Sequence, residues 1–249
     1  MITLTQTVRE IALEHPRSIR VFERFGIDYC CGGRKPLAEA CVAHDVSVDA
    51  VLAALDSAAT TAEPSPVDWS QTPLQELIEH IVSTHHSYVK AELPRLAALA
   101  QKVVNRHGDT QAHLPALQKT IAQLDDELTH HLAKEENILF PYIAALETAM
   151  ATGGAIPDAC FGTVANPIAM MTSEHDAAGG LLAEIDRLSD HFNTPAGACP
   201  TYHAFYDGLK EFELDLHRHI HLENNILFPR AIDLESSAQT PQFEASASF

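Results

Sequence analysis

The sequence predicts an all-α protein in which a small N-terminal helical domain precedes an up-and-down four-helix bundle. Between residues 72 and 234, four long segments carry apolar residues at helical spacing and are separated by breaks that contain Gly or Pro. Residues 1–60 hold only short helical patterns. The stretch 57–73, rich in Ala, Thr, Ser and Pro, is typical of a linker and predicts a domain boundary near residue 65.

Short helices make up the N-terminal domain. Pro16 suits the first turn of a helix, and Gly26 suits the position just after its end. Two more helices are predicted over residues 36–43 and 48–57. The glycines of the segment 28–33, Asp-Tyr-Cys-Cys-Gly-Gly, predict a tight loop between the helix that ends at Gly26 and the helix over residues 36–43.

Cys30 and Cys31 in this loop admit two interpretations. A tight loop holds both thiols near the surface, where a redox or iron-transfer role is open to them. Alternatively, they are two small buried residues in a turn, since adjacent cysteines rarely form a disulfide with each other. The five cysteines are odd in number and scattered, so we interpret them as thiols rather than as a disulfide framework.

The bundle is predicted from its breaks. Gly108 and Asp109 end the first segment, residues 153–157 separate the second from the third, and residues 194–200 separate the third from the fourth. This gives a bundle over residues 72–234. Residues 235–249 are polar and small, and we expect them to form a disordered tail.

Charge and hydropathy exclude several classes of protein. The formal net charge of −18 repels phosphate backbones and anionic lipids, so we expect neither nucleic acid nor membrane as a partner. No apolar run approaches the roughly 20 residues that span a bilayer, and residues 1–14 lack the features of a signal peptide. The expected location is the cytoplasm.

Two segments of the chain are nearly identical. Residues 131–141 read HLAKEENILFP and residues 219–229 read HIHLENNILFP, with seven of eleven positions the same. Each copy places a histidine four residues before a glutamate, so both side chains share one helix face. The duplication predicts a metal site with approximate two-fold symmetry.

In the second and fourth segments the buried positions step alternately by three and four residues. The second stripe reads Leu117, Ile121, Leu124, Leu128, His131, Glu135, Ile138 and Tyr142. The fourth reads Phe205, Leu209, Phe212, Leu216, His219, Glu223 and Ile226. Each His-Glu pair occupies positions where leucine is expected, and neither stripe contains a Lys or Arg. Because a buried glutamate without a counter-charge is costly, the stripes indicate a bound cation.

The other two segments supply further histidines. His175 stands within an apolar stripe of the third segment, 89 residues after His86, while His219 lies 88 residues after His131. Periodicity alone does not decide between His85 and His86 in the first segment. The remaining clustered histidines fall off the stripes and are expected to face solvent: His130, His217 and His221.

Two further glutamates lie near these positions. Glu127 is one turn before His131, and Glu174 directly precedes His175. Either carboxylate could hydrogen-bond to a metal ligand or carry a proton, and a plain surface charge is the alternative for both.

The ligand chemistry favours two iron ions. Six imidazole and carboxylate groups are too many for one tetrahedral zinc and too rich in nitrogen for calcium or magnesium. Two ions bridged by both carboxylates fit better, and such pairs are known in four-helix bundles. Each iron would keep positions for an oxo bridge, solvent or a small diatomic molecule.

On these motifs the chain resembles the di-iron proteins for repair of iron centres, which are hemerythrin-like bundles with an additional N-terminal domain. The resemblance rests on the Cys-Cys loop, the two repeats, His86, and the segment 173–176, Ser-Glu-His-Asp. It implies as iron ligands His86, His131, His175 and His219, with Glu135 and Glu223 bridging. It therefore favours His86 over His85, and it implies that Cys30 and Cys31 matter.

The resemblance implies repair of iron-sulfur clusters damaged by nitric oxide or oxidants. Iron supply, nitric oxide chemistry of a reductase type at the di-iron site, or both would serve that role, with damaged iron-sulfur proteins as clients. The alternatives are a hemerythrin-type protein that binds or senses oxygen or nitric oxide, and a purely structural metal bundle. The sequence is compatible with a homodimer.

Overall fold

The computed structural model describes residues 2–30, 32–60 and 67–239, and within them every regular element is helical. This agrees with the predicted fold class. Cys31, the middle of the predicted linker with its boundary near residue 65, and the last ten residues lie outside the described part of the chain. No helix in the described residues is long and apolar enough to cross a membrane.

The N-terminal domain contains four short helices, close to the predicted positions. Thr7 and Glu10 begin the first with a reciprocal pair of hydrogen bonds between side chain and backbone. Gly26 ends the second in the left-handed conformation (φ 65°), which glycine adopts without steric cost. The helices are α1 (Val8–Glu14), α2 (Ser18–Phe25), α3 (Leu37–Ala43) and α4 (Val48–Thr60).

Four long helices form the bundle, and three of them contain a π-helical turn. The first bundle helix comprises Leu74–His80, the π turn Ile81–His86, and Ser87–His107. The second comprises Leu114–Lys134, the π turn Glu135–Leu139, and Phe140–Thr152. The third is Ala165–Leu188. The fourth comprises Pro200–Leu222, the π turn Glu223–Leu227, and Phe228–Gln239.

The π turns change which residues face the core. A π turn adds a residue to the turn, so the side chains that follow it rotate relative to a regular α-helix. In the second bundle helix, Leu139 is consequently buried and Ile138 is 51% exposed. The prediction that Ile138 continues the buried stripe was wrong for this reason.

Two apolar clusters fill the bundle and leave a polar layer between them. One cluster includes Leu96, Leu128 and Leu216, and the other includes Leu139 and Leu227. The histidines and glutamates of the repeats lie between these clusters, so their charges are shielded from water on both sides. The first bundle helix packs against the second and the fourth, and the second packs against the third.

The N-terminal domain packs on the fourth bundle helix. Arg218 forms a two-pronged ion pair with Glu23 (2.6 and 2.8 Å), and the Tyr29 ring contacts the ring of His221 edge to face. This contact buries His221 and partly buries His217. The expectation that both face solvent was therefore wrong, because it ignored the covering domain. His130 is exposed, as expected.

The fourth bundle helix extends to Gln239, five residues beyond the predicted end of the bundle. Glu235 explains the extension. Its carboxylate is buried, and it accepts hydrogen bonds from the Tyr142 hydroxyl (2.6 Å) and from the backbone amide of Val164 (3.0 Å). The prediction of a disordered tail from residue 235 was thus wrong for residues 235–239.

Candidate metal centre

The six side chains expected from the stripes and from the family resemblance meet in the polar layer between the two apolar clusters. They are His86, His131, Glu135, His175, His219 and Glu223, and all six are buried. The π turns help to place them: His86 ends one, while Glu135 and Glu223 each begin one. Single π turns of this kind often occur at functional sites.

The imidazole nitrogens converge in two pairs. His86 Nε2 lies 3.1 Å from His219 Nε2, and His131 Nε2 lies 2.9 Å from His175 Nε2. Two nitrogen ligands that meet at right angles on one metal ion, each about 2.1 Å away, would be about 3 Å apart. Each pair, together with both glutamates, forms a group that could hold one ion. We name these groups after their first histidine, the His86 half and the His131 half.

Both glutamates face both halves. Glu223 directs Oε1 at His219 Nε2 (2.9 Å) and Oε2 at His175 Nε2 (3.2 Å). Glu135 Oε2 lies 3.5 Å from His86 Nε2 and 3.4 Å from His131 Nε2. Two histidines and carboxylate oxygens with further positions open are typical of non-haem iron sites. The arrangement suits a metal site, since both carboxylates belong to each of the two groups.

Three of the four histidines turn Nδ1 toward an oxygen acceptor. The pairs are His86 with Glu136 (2.8 Å), His131 with Glu174 (2.9 Å) and His175 with Asn224 (2.9 Å). These acceptors place the proton on Nδ1 and leave the Nε2 lone pair directed into the layer. Lone pairs about 3 Å apart repel one another unless a cation lies between them.

The electrostatics of the layer also favour a cation. Burial, together with the neighbouring Glu223 carboxylate, raises the pKa of Glu135 well above its usual range. Burial acts in the same direction on Glu223, but His219 and hydrogen bonds from the surrounding histidines outweigh it and hold its pKa well below that range. Burial lowers the pKa of His131 to about 4, so its imidazole is neutral at pH 7.

Glu135 gives the most direct test of fit. Neither of its buried carboxylate oxygens has a hydrogen-bond partner within the described chain. Buried carboxylates of this kind are otherwise paired, hydrogen-bonded or bound to metal. The residues present therefore fit a metal cluster.

Aromatic rings complete the enclosure. Phe140 stacks on the ring of His86 (centroids 5.6 Å apart), and Phe228 stacks on the ring of His175 (5.9 Å). Both phenylalanines belong to the repeated segment, which explains why the repeat extends beyond the glutamates.

Comparison with known proteins places this geometry in a family. Residues 77–231 match the model of the hemerythrin HHE cation binding domain. The chain belongs to the hemerythrin HHE family. Residues 4–59 match a second model, described as a domain of unknown function, DUF542.

Curated relatives cover almost the whole of this hemerythrin-family chain. Proteins named iron-sulfur cluster repair protein YtfE, from Salmonella paratyphi B, Salmonella newport and Salmonella heidelberg, are each 40% identical over 227 residues. Each alignment spans 91% of this chain and 96% of the relative. The resemblance to proteins for repair of iron centres is thus confirmed, since these relatives carry that name.

The two further glutamates behave differently. Glu174 accepts a hydrogen bond from His131 Nδ1 and forms an ion pair with Lys134. Glu127 accepts a hydrogen bond from Gln123 (2.9 Å), and we find no contact between its carboxylate and the six inward side chains in the described residues. Glu174 therefore contacts a histidine of the site, whereas the contact described for Glu127 is with Gln123 on its own helix.

Cys30 lies away from the surface, contrary to the first of the two interpretations of the loop. It is 6% exposed, and Asp28 Oδ1 accepts hydrogen bonds from its amide (2.8 Å) and its thiol (3.2 Å). Cys30 is buried because it packs in the apolar cluster of the bundle that includes Leu96 and Leu128. Cys30 lines a cavity of about 250 Å³ together with Arg9, Arg34 and Asn224, and Asn224 is the residue that holds His175.

Glu136, Asn224 and Asp215 also contact the buried histidines, and none of the three was predicted from the sequence. Asp215 Oδ1 pairs with Nδ1 of buried His85 (2.9 Å), which lies outside both metal-binding groups. A signal existed for two of the three, because Glu136 and Asn224 occupy the same position of the repeat, directly after the inward glutamates. Both are polar, both follow a buried glutamate, and both hold a histidine of another helix.

Proposed function

We propose that this protein holds two iron ions in the polar layer and acts in the repair of damaged iron-sulfur clusters. One observation carries the proposal: two histidine pairs converge on two shared, buried carboxylates, and one of these carboxylates has no hydrogen-bond partner in the described chain. His86 and His219 would hold one ion, His131 and His175 the other, and both glutamates would bridge them, together with an oxo bridge.

The bound iron would supply redox chemistry and open coordination positions for nitric oxide or oxygen. The residues of the chain orient and shield the site. Lys90 forms an ion pair with Glu136 (2.6 Å), and Lys134 does so with Glu174. Both glutamates are partly exposed and touch a ligand histidine, so each offers a proton a route between solvent and the buried layer.

The names of the curated relatives support the repair role. Damaged iron-sulfur proteins would then be the clients, and either labile iron or nitric oxide chemistry would serve them. A hemerythrin-type protein that binds or senses oxygen is the competing function. The second His-x-x-x-Glu segment, His219 to Glu223, argues against it, since typical oxygen-carrying hemerythrins use more histidines and one fewer bridging glutamate.

Metal analysis tests the site itself. We expect two iron ions per chain in protein that is loaded anaerobically with ferrous iron, and fewer in the His219→Leu variant. His130→Leu is the matched control, because it makes the same change at an exposed histidine next to a predicted ligand. Loading of fewer than two ions in the unchanged protein would contradict the di-iron proposal.

Recovery of a cluster enzyme tests the role. Extract that lacks the protein is treated with nitric oxide, and the return of activity of a [4Fe–4S] enzyme is followed. We expect faster recovery after addition of the loaded protein or its His130→Leu variant than after addition of His219→Leu. Equal recovery in all cases would remove the repair role, and a stable, reversible oxygen adduct would favour the competing function.

We further propose that Cys30 passes iron or electrons between the site and a client. Support comes from the cavity that joins Cys30 to Asn224, one residue from a bridging glutamate. Cys30→Ser should keep two irons per chain but slow the recovery of the cluster enzyme, and unchanged recovery would exclude this role. Cys31 keeps its sequence-based prediction, and Cys31→Ser tests it in the same assay.

A further inference from the structure

The two halves of the metal site differ in how their histidines are held. In the His131 half, both histidines donate from Nδ1 to an oxygen: His131 to Glu174 (2.9 Å) and His175 to Asn224 (2.9 Å). Glu174 is itself fixed by Lys134. A carboxylate in this position orients a ligand imidazole and raises its basicity.

In the His86 half only one histidine is held in this way. His86 donates to Glu136 (2.8 Å). His219 is fully enclosed, and its Nδ1 has no hydrogen-bond partner within the described chain. Because coordination through Nε2 puts the proton on Nδ1, this ligand would carry a buried donor without an acceptor.

The difference arises at one position of the two-fold arrangement. Glu174 directly precedes His175, and the equivalent residue directly before His86 is His85. His85 cannot reproduce the contact of Glu174, because its own Nδ1 faces Asp215 Oδ1 at 2.9 Å. Its ring lies parallel to that of His219, with centroids 5.6 Å apart and an interplanar angle of 6°. His219 therefore has a parallel imidazole ring beside it and no carboxylate at its Nδ1, whereas His131 has the carboxylate of Glu174.

The His86 half also lies beside an opening. His85 and Asp215 line a groove of about 750 Å³ between the N-terminal domain and the bundle, together with Thr84 and Ser70. An ion that leaves the His86 half past His85 would enter this groove, whose lining combines apolar side chains with Asp215 and with four arginines, Arg17, Arg20, Arg24 and Arg218.

We propose that the ion in the His86 half is the one this protein releases first, and that His85 is the positioning residue responsible. The inference rests on the proposed di-iron function. Release would break the bonds from the ferrous ion to His86, His219, Glu135 and Glu223, and the iron would leave in the ferrous state, so no electron would be transferred. The His131 half retains its ion longer because carboxylate and amide oxygens hold both of its histidines.

Release kinetics test the inference without reference to repair activity. Protein loaded anaerobically with two ferrous ions is mixed with an excess of a colour-forming ferrous chelator. We expect two phases of equal amplitude that differ about 10- to 100-fold in rate, the usual effect of losing such a hydrogen-bond partner. His219→Gln should load one ion, which leaves at the slower rate.

Two substitutions should change the rates at which the two halves release their ions, in opposite directions. Glu174→Gln removes the carboxylate with almost no change in shape, so the slow phase should become about 10- to 100-fold faster. His85→Glu places a carboxylate where the symmetry requires one, so the fast phase should slow. Glu184→Gln is the matched control, since it makes the same change at an exposed ion pair on the same helix, and it should alter neither phase.

A single release rate in the unchanged protein would overturn the inference, as would a slow phase that Glu174→Gln does not accelerate. Loss of the slow phase in His219→Gln would also overturn it, because the stable ion would then belong to the other half. These failures differ from failure of the proposed function, which would appear earlier as loading of fewer than two ions.

Discussion

Replacement of Glu135 by leucine should stabilise the metal-free protein and destabilise the metal-loaded one. Glu135 is fully buried, and burial raises the pKa of its carboxyl well above the usual range. Without a metal, the folded chain therefore bears the cost of removing this group from water. Leucine has a similar volume and continues the apolar stripe of the second bundle helix, so the fold should accept it.

The magnitudes follow from the two states. Replacing buried, poorly compensated charge with apolar side chains stabilises proteins by about 1–4 kcal/mol, and we expect that gain in the free energy of unfolding without metal. With metal at about 1,000 times its dissociation constant, the unchanged protein gains about 4 kcal/mol for each ion bound. The variant loses a shared ligand and most of that gain, so the effect of the substitution reverses sign.

Urea unfolding at pH 7, with and without ferrous iron under anaerobic conditions, measures both differences. Glu184→Leu is the control, because it changes an exposed glutamate and should shift stability by only about 0.5 kcal/mol in either condition. If Glu135→Leu destabilises the metal-free protein, the carboxylate is already satisfied within the fold and the case for a cation there is refuted.

Three other predictions concern groups outside the metal site. His107 hydrogen-bonds to the sulfur of Cys199 and lowers the pKa of this thiol to about 7. The alkylation rate of Cys199, followed by mass spectrometry of labelled peptides, should therefore rise with pH with a midpoint near pH 7, and His107→Ala should move that midpoint to higher pH. Burial raises the pKa of Glu213 to about 7, above its unfolded value, so this group's contribution to stability falls as pH rises from about 4.5 to 7. The free energy of unfolding of Glu213→Gln should therefore exceed that of the unchanged protein by about 1–2 kcal/mol at pH 8 and equal it at pH 4. Glu235→Ala should cost about 1.5–3 kcal/mol in urea unfolding, because the buried amide of Val164 loses its charged acceptor; a change below 0.5 kcal/mol would contradict that role.

The fold was predictable because helix packing leaves a strong trace in the sequence. Leu117, Leu124 and Leu128 repeat at the spacing that a packed helix requires, and all are buried. The same spacing identified the inward glutamates, since Glu135 and Glu223 occupy positions of an otherwise apolar stripe, and both are fully buried. A buried charge is improbable enough to identify a site from one sequence.

The remaining features depend on contacts between distant parts of the chain. The π turn that begins at Glu135 shifts the stripe of the second bundle helix, which is why Ile138 is exposed, and no local propensity indicates such a turn. His221 is buried because the N-terminal domain covers it through Tyr29, and the histidine spacing contains no information about that domain. Asp215 pairs with His85 from another helix, which periodicity within either helix could not show.

The repeated segment explains both the symmetry of the site and its limits. Each copy supplies a histidine, a shared glutamate, a polar residue that holds a histidine of another helix, and a phenylalanine that stacks on that histidine. All four elements lie inside the duplicated stretch, so the contacts they make are two-fold symmetric. The partner of the repeat's own histidine comes instead from outside it, where one copy meets Glu174 and the other meets His85. The contacts inside the repeat are therefore symmetric, while the contacts of its own histidine differ between the two copies. Under the proposed di-iron function, this combination would let the protein keep one ion while it releases the other.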